Sequence, residues 1–230
     1  MAGNGPGNLA DAMKLSRSCR VADVAKPTEL KNAIARIKRR HQQEIRFRKL
    51  ILKTQAYPIL ILLLTMWLVR IVDATIPLDV NQLGLVPRTL GGLLGIGLMP
   101  FLHGSFGHLI SNTIPLAILL GLTVASRHRA WPIIIAIIIG NGVLLWLFGR
   151  NANHIGASGL VFGLIAYLIT VGVREKQIVS IGIALLVGFL FGTTLVIGVI
   201  PSFGSAVSWD GHLLGVISGL LVGVRTTRNR

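Results

Sequence analysis

Residues 131–149, WPIIIAIIIGNGVLLWLFG, contain no charged side chain. As a helix this stretch would rise about 28 Å, close to the roughly 30 Å hydrocarbon core of a bilayer. A helix also satisfies its backbone polar groups internally, as lipid requires. The stretch therefore reads as a transmembrane helix. Working outward, five more apolar segments reach the roughly 17–25 residues a span needs, at 54–72, 107–125, 157–173, 177–199 and 209–225. The expectation is an all-α, polytopic membrane helix bundle of six transmembrane helices. The run from Gly91 to Leu102 is apolar too, but it is short and contains Pro100. It is expected to form a re-entrant or interfacial element.

Composition supports a membrane class. Hydrophobic residues make up 52% of the 230-residue chain, charged residues only 13%, and mean hydropathy is +0.71. A soluble domain carries about twice that charge fraction. The charge is also localised, because residues 1–53 hold 13 of the 23 Lys and Arg and 4 of the 8 acids. Three regions follow: a basic cytoplasmic leader over 1–53, a six-span domain over 54–225 and a short basic tail over 226–230. Residues 1–28 read as mostly disordered. Residues 29–53 read as a basic juxtamembrane helix, either solvated or lying against lipid. The net charge of +15 points to anionic lipid headgroups, not nucleic acid, since no polar domain exists to carry a nucleic-acid surface. The single cysteine, Cys19, excludes an internal disulfide framework.

Loop charge sets the orientation. With the leader inside, the inner connections hold Arg127 with Arg129, Arg174 with Lys176, and Arg225, Arg228 and Arg230 at the tail. The outer connections hold Arg88 and Arg150, and Asp73, Asp79 and Asp210 also fall outside. The positive-inside rule then places both termini in the cytoplasm.

Polar side chains within spans are costly and usually functional. Apart from Asp210, the spans contain no carboxylate. That excludes paired intramembrane aspartates, a His-Glu-x-x-His metalloprotease and the usual proton-relay transporter. What remains is a set of histidines, serine and asparagine. His103, His108 and Asn112 surround the start of the second span, His154 and Ser158 the start of the fourth, and His212 the start of the sixth. All three helices run inward, so these groups share one depth near the outer face. His108 and Asn112 share a helix face and could donate to an oxyanion. Taken alone, that pair fits interhelical hydrogen bonding better, at about 0.6–2 kcal/mol.

Ser158 lies in Gly156-Ala157-Ser158-Gly159, where the glycines permit a sharp entry and close approach. The sixth span carries Gly211, Gly215, Gly219 and Gly223, a stripe of small residues every four positions. Gly159 and Gly163 repeat that spacing on the fourth span. If the stripes meet, Ser158 and His212 come together as an activated nucleophile and its base.

The chain here resembles the rhomboid family of intramembrane serine proteases. The match rests on three blocks: Phe101-Leu102-His103-Gly104-Ser105-Phe106-Gly107-His108-Leu109-Ile110-Ser111-Asn112, then Gly156-Ala157-Ser158-Gly159, then Gly211-His212-Leu213-Leu214-Gly215. It covers roughly residues 55–225. The resemblance implies Ser158 as nucleophile and His212 as general base and acid, without a carboxylate. It implies an oxyanion hole of the Ser158 backbone N–H, His108 and Asn112, with His103 structural. Gly156, Gly159, Gly211 and Gly215 would support the site, and residues 73–105 would form a loop half-embedded in the outer leaflet. Phe162 replaces a tyrosine that some members pack on the catalytic histidine. The implied partners are transmembrane protein substrates, cleaved near the outer face of a plasma membrane, bacterial by the compact core. No metal or cofactor is expected. The alternatives are a catalytically inactive binder of membrane segments, a channel lined by the same polar groups, and a metal site built from His103, His108, His154 and His212.

Overall fold

The computed structural model describes residues 27–76, 79–201 and 207–228. The disorder expected over 1–28 falls almost wholly outside them, as does the end of the basic tail, 229–230. The chain divides into two compact units, Met1–Leu50 and Ile51–Arg230. Helix α1 runs over Pro27–Thr75. Its part within the first unit carries exposed Lys31, Arg36, Lys38, Arg39, Arg40 and Arg46, together with exposed Ile34, Ile37 and Ile45. The basic helix expected over 29–53 is thus helical.

Among the described residues, the second unit contains the rest of α1 and six further α-helices: α2 (Gly92–Leu98), α3 (Phe106–Ser126), α4 (Ala130–Phe148), α5 (Ser158–Glu175), α6 (Ile178–Gly198) and α7 (Trp209–Arg228). Among the described residues, five stretches are long and apolar enough to cross a membrane: Thr54–Thr75, Phe106–Ser126, Ala130–Phe148, Ser158–Glu175 and Ile178–Gly198. The segment expected as the sixth span is helical as α7, 20 residues long, but is not among these five. Asp210, His212, Ser218, Arg225 and Arg228 lower its apolarity. The apolar run after Gly91 forms α2 followed by a 3-10 turn over Met99–Phe101, too short to span, as its length required.

The bundle is built around α5. Of its most apolar window 72% is buried, against 11% for α6, so α5 is the central helix and α6 a peripheral one. The most extensive helix–helix contact is between α5 and α7, and glycine makes it possible. A Cβ on Gly215 would run into the carbonyl of Gly159, and one on Gly219 into the carbonyl of Gly163. A Cβ on Gly163 would in turn lie 3.1 Å from the Gly215 carbonyl. The two stripes therefore meet backbone to backbone. Ser218, buried on the same side of α7, donates to the Ile137 carbonyl of α4 at 3.1 Å.

The ends of the helices are fixed by polar contacts. Ser105 caps α3, its Oγ accepting the His108 backbone N–H at 3.1 Å. At the opposite end, Arg127 forms a two-pronged pair with Glu175, at 2.6 and 2.9 Å, and Ser180 donates to the same carboxylate at 2.8 Å. A buried charge needs such pairing. Near the start of α3, Asp73 pairs with Arg70 and accepts from the Val80 N–H and Asn81 Nδ2 at 3.1 and 3.0 Å.

Replacing Gly219 by Val should lower the unfolding midpoint, since overpacking costs about 1–3 kcal/mol. The control Gly182→Ala, where an added Cβ meets nothing within 4 Å, should leave it unchanged or slightly raised. Thermal unfolding in detergent measures both, and equal midpoints would contradict the helix contact described.

Candidate active site

The site forms at the end of the bundle where α3, α5 and α7 begin. Each helix delivers a polar residue in or next to its first turn: His108 and Asn112 from α3, Ser158 from α5 and His212 from α7. All four line one cavity of about 870 Å³. The loop before α5 contributes Asn153, His154 and Ile155, while α6 contributes Thr193, Thr194, Ile197 and Gly198.

The segment leading to Ser158 is held on several sides. His154 exchanges both backbone hydrogen bonds with Leu85, each at 2.9 Å. Asn153 donates to the Asn81 carbonyl at 2.7 Å, and the Gly156 N–H donates to the Met99 carbonyl at 2.8 Å. Gly156 sits at φ +110°, which side-chain-bearing residues rarely adopt. A Cβ there would also come within 2.8 Å of His108 Cε1 and Nε2, and 3.7 Å of Asn112 Nδ2. Glycine thus lets the backbone just before the serine pass against the two α3 side chains. Ser158 opens α5, so its N–H belongs to the first turn, whose donors lack intrahelical partners.

His212 is oriented by two contacts. Its Nδ1 lies 2.8 Å from the Gly198 carbonyl. A carbonyl only accepts, so Nδ1 carries the proton and Nε2 keeps its lone pair. Its ring stacks on Phe162, with centroids 4.1 Å apart and planes within 5°. The ring packing on the residue four after the serine is therefore present, with phenylalanine in that place. Among the described residues, no hydrogen bond within 3.5 Å joins Ser158 to His212. Both line the same cavity.

The remaining sequence-predicted residues fall close by. Gly159 packs so tightly on Asn141 that a Cβ would overlap its side-chain amide. Gly211 donates its N–H to Ser208 Oγ at 3.2 Å. Asn112, 4% exposed, donates to the His108 carbonyl at 3.1 Å, and one amide hydrogen remains for the cavity. His103 is not a cavity residue. It is buried beneath His108, with ring centroids 5.1 Å apart in an edge-on contact, and its Nδ1 lies 3.4 Å from the Phe101 carbonyl. Among the described residues no group of three or more His, Cys, Asp or Glu side chains is placed to hold a metal. His154, named in the metal alternative, instead contacts Ser208 and the Arg150 carbonyl.

Two features were not read from the sequence. One is the Gly198 carbonyl, a backbone group whose role depends on the packing of α6 against α7. The other is Ser208, which only the fold brings to His154.

The family model of the Rhomboid domain matches residues 90–229. An uncharacterised protein of Mycobacterium tuberculosis (strain H37Rv) is 38% identical over 168 residues, covering 68% of each chain. An uncharacterised protein of Mycobacterium leprae (strain TN) is 35% identical over 174 residues, covering 71% of this chain and 68% of its own length. The chain belongs to the rhomboid family and is a multi-pass, helical membrane protein, and these relatives are bacterial.

Burial, reinforced by the neighbouring His108, lowers the His103 pKa from 6.5 to about 4. A histidine titration followed by NMR should therefore show His103 neutral at pH 7 and still neutral at about pH 5.5. Its protonation, and the loss of packing that follows, should come only as pH falls towards 4. A midpoint at the ordinary histidine value would contradict the burial described.

Proposed function

We propose that this protein is an intramembrane serine endopeptidase that cleaves transmembrane segments of other membrane proteins, with Ser158 as nucleophile and His212 as general base. The observation that carries this reading is the fixed tautomer of His212. With Nδ1 bound to the Gly198 carbonyl and the ring stacked on Phe162, Nε2 is the nitrogen left to accept a proton.

The steps follow from that arrangement. A substrate carbonyl enters between Ser158 and the α3 donors. Ser158 Oγ bonds to the carbonyl carbon as its proton passes to His212 Nε2. The resulting oxyanion is held by the Ser158 N–H, the free Asn112 amide hydrogen and His108. His212 returns the proton to the leaving amine, and the C–N bond breaks. Water then attacks the acyl-enzyme with His212 again as base, releasing the acid and restoring Ser158. No carboxylate takes part. The Gly198 carbonyl orients the imidazole, and the Phe162 face lies where it can stabilise the imidazolium formed in each half-reaction.

This reading includes a six-span topology with α7 as the sixth span, both termini in the cytoplasm and the site near the outer face of a bacterial plasma membrane. Water can reach Ser158 from that side through the open cavity. The basic stretch of α1 faces anionic headgroups of the inner leaflet. A relative that only binds membrane segments is the second reading, and the lack of a Ser158–His212 hydrogen bond is what favours it.

Purified protein mixed with a fluorogenic transmembrane substrate separates the two. Cleavage should vanish in both Ser158→Ala and His212→Ala. Asn112→Ala should lower kcat by about a hundredfold, the scale of one lost oxyanion donor. Substrate binding without cleavage by the wild-type protein would establish the binder instead.

A further inference from the structure

A second polar cluster adjoins the catalytic pair and has no part in the steps above. It joins the loop that delivers Ser158 to the first turn of α7, which delivers His212. His154, 3% exposed, lies with Nδ1 2.7 Å from Ser208 Oγ and Nε2 3.0 Å from the Arg150 carbonyl. Ser208 precedes α7 and acts as its cap. Its Oγ accepts the Gly211 N–H at 3.2 Å, and its carbonyl accepts the His212 N–H at 3.0 Å. Ser208 Oγ also lies 3.1 Å from Asp210 Oδ1. Asp210, 5% exposed, accepts from the Arg150 backbone N–H at 2.9 Å and from its guanidinium at 3.1 Å.

Counting hydrogens decides the protonation of this cluster. The Arg150 carbonyl only accepts, so His154 Nε2 must carry a proton. Besides accepting the Gly211 N–H, Ser208 has one hydroxyl hydrogen and two partners that could receive it. If that hydrogen goes to His154, then Ser208 Oγ and the Asp210 carboxylate face each other at 3.1 Å with no proton between them. If it goes to Asp210, His154 Nδ1 must donate to Ser208, and every contact is satisfied. The second arrangement requires an imidazolium. Asp210 lies 3.8 Å from His154 Nε2 and supplies the opposing charge. Arg150 is the other charged group at the cluster. Leu85 meets His154 through paired backbone hydrogen bonds.

We propose that His154 is a positioning residue. As an imidazolium donating from both ring nitrogens, it clamps the nucleophile loop to the Ser208 cap of the helix carrying His212. The clamp holds the spacing of Ser158 and His212 from behind, reaching His212 through its backbone N–H and hydrogen-bonding to neither side chain. This proposal rests on the protease reading for its kinetic consequence, but not for its proton count.

Two measurements test it. The first is NMR of full-length protein in micelles with nitrogen-15 histidine, comparing wild type with His154→Gln. Below about pH 6, one imidazole should show protons on both buried ring nitrogens, and His154→Gln should remove that signature. A His154 ring with a single N–H at that pH overturns the proposal whether or not the protein is a protease. The second is the split of kcat and KM for His154→Gln: kcat should fall with KM little changed. Misplacing a reacting group by about 1 Å should cost about ten- to a hundredfold in kcat. Ser208→Ala should show a similar loss in kcat with KM little changed. A folded His154→Gln variant with wild-type kcat contradicts the clamp. If cleavage instead survives Ser158→Ala, the protease assignment fails and the NMR result alone decides the proton count.

Discussion

The close approach of α5 and α7 is the constraint on which the rest depends. In lipid there is no general hydrophobic drive to bring helices together, so packing geometry and a few polar contacts must do it. Gly159 and Gly163 on one helix and Gly215 and Gly219 on the other remove the side chains that would separate the backbones. The same contact fixes the register. Ser158 stands one residue before Gly159, and His212 stands three before Gly215. Once the stripes mesh, both side chains open onto one cavity, although 53 residues lie between them in the chain.

The second constraint is how an imidazole is oriented without a carboxylate behind it. Here a backbone carbonyl at the end of α6 fixes the tautomer, and an aromatic face fixes the plane. Space for both is tight. A Cβ on Gly198 would overlap the Phe162 ring and lie 3.4 Å from His212 Nδ1. The nearest acid along α7, Asp210, is turned away from this task and bound to Arg150 and Ser208. Burying a carboxylate is costly unless its charge is matched, and Arg150 supplies the match.

Much of this was legible in the sequence because a membrane leaves few ways to read it. Uncharged stretches such as 131–149 had to be helices, and Gly91–Leu102 was too short to be a span. The polar residues were few enough that Ser158, His212, His108 and Asn112 could be grouped by depth before any contact was known. The glycine spacing on two helices then gave a physical means of joining them. What could not be read were the contacts made by backbone groups and by residues common everywhere. Nothing in the letters of Gly198 marks its carbonyl as a partner for His212. Ser208 is one serine among many until the fold sets it against His154. The low apolarity of α7 followed from the same cause, since a helix that buries a polar, glycine-rich face against α5 needs fewer lipid-facing side chains.

The central claim is that Ser158 is a nucleophile activated by His212. Labelling the membrane-embedded protein with a fluorophosphonate and mapping the modified peptide by mass spectrometry tests it most directly. The account predicts one adduct, on Ser158, which disappears in His212→Ala while that variant keeps its fold. An adduct on another residue, or undiminished labelling of Ser158 in His212→Ala, would contradict it.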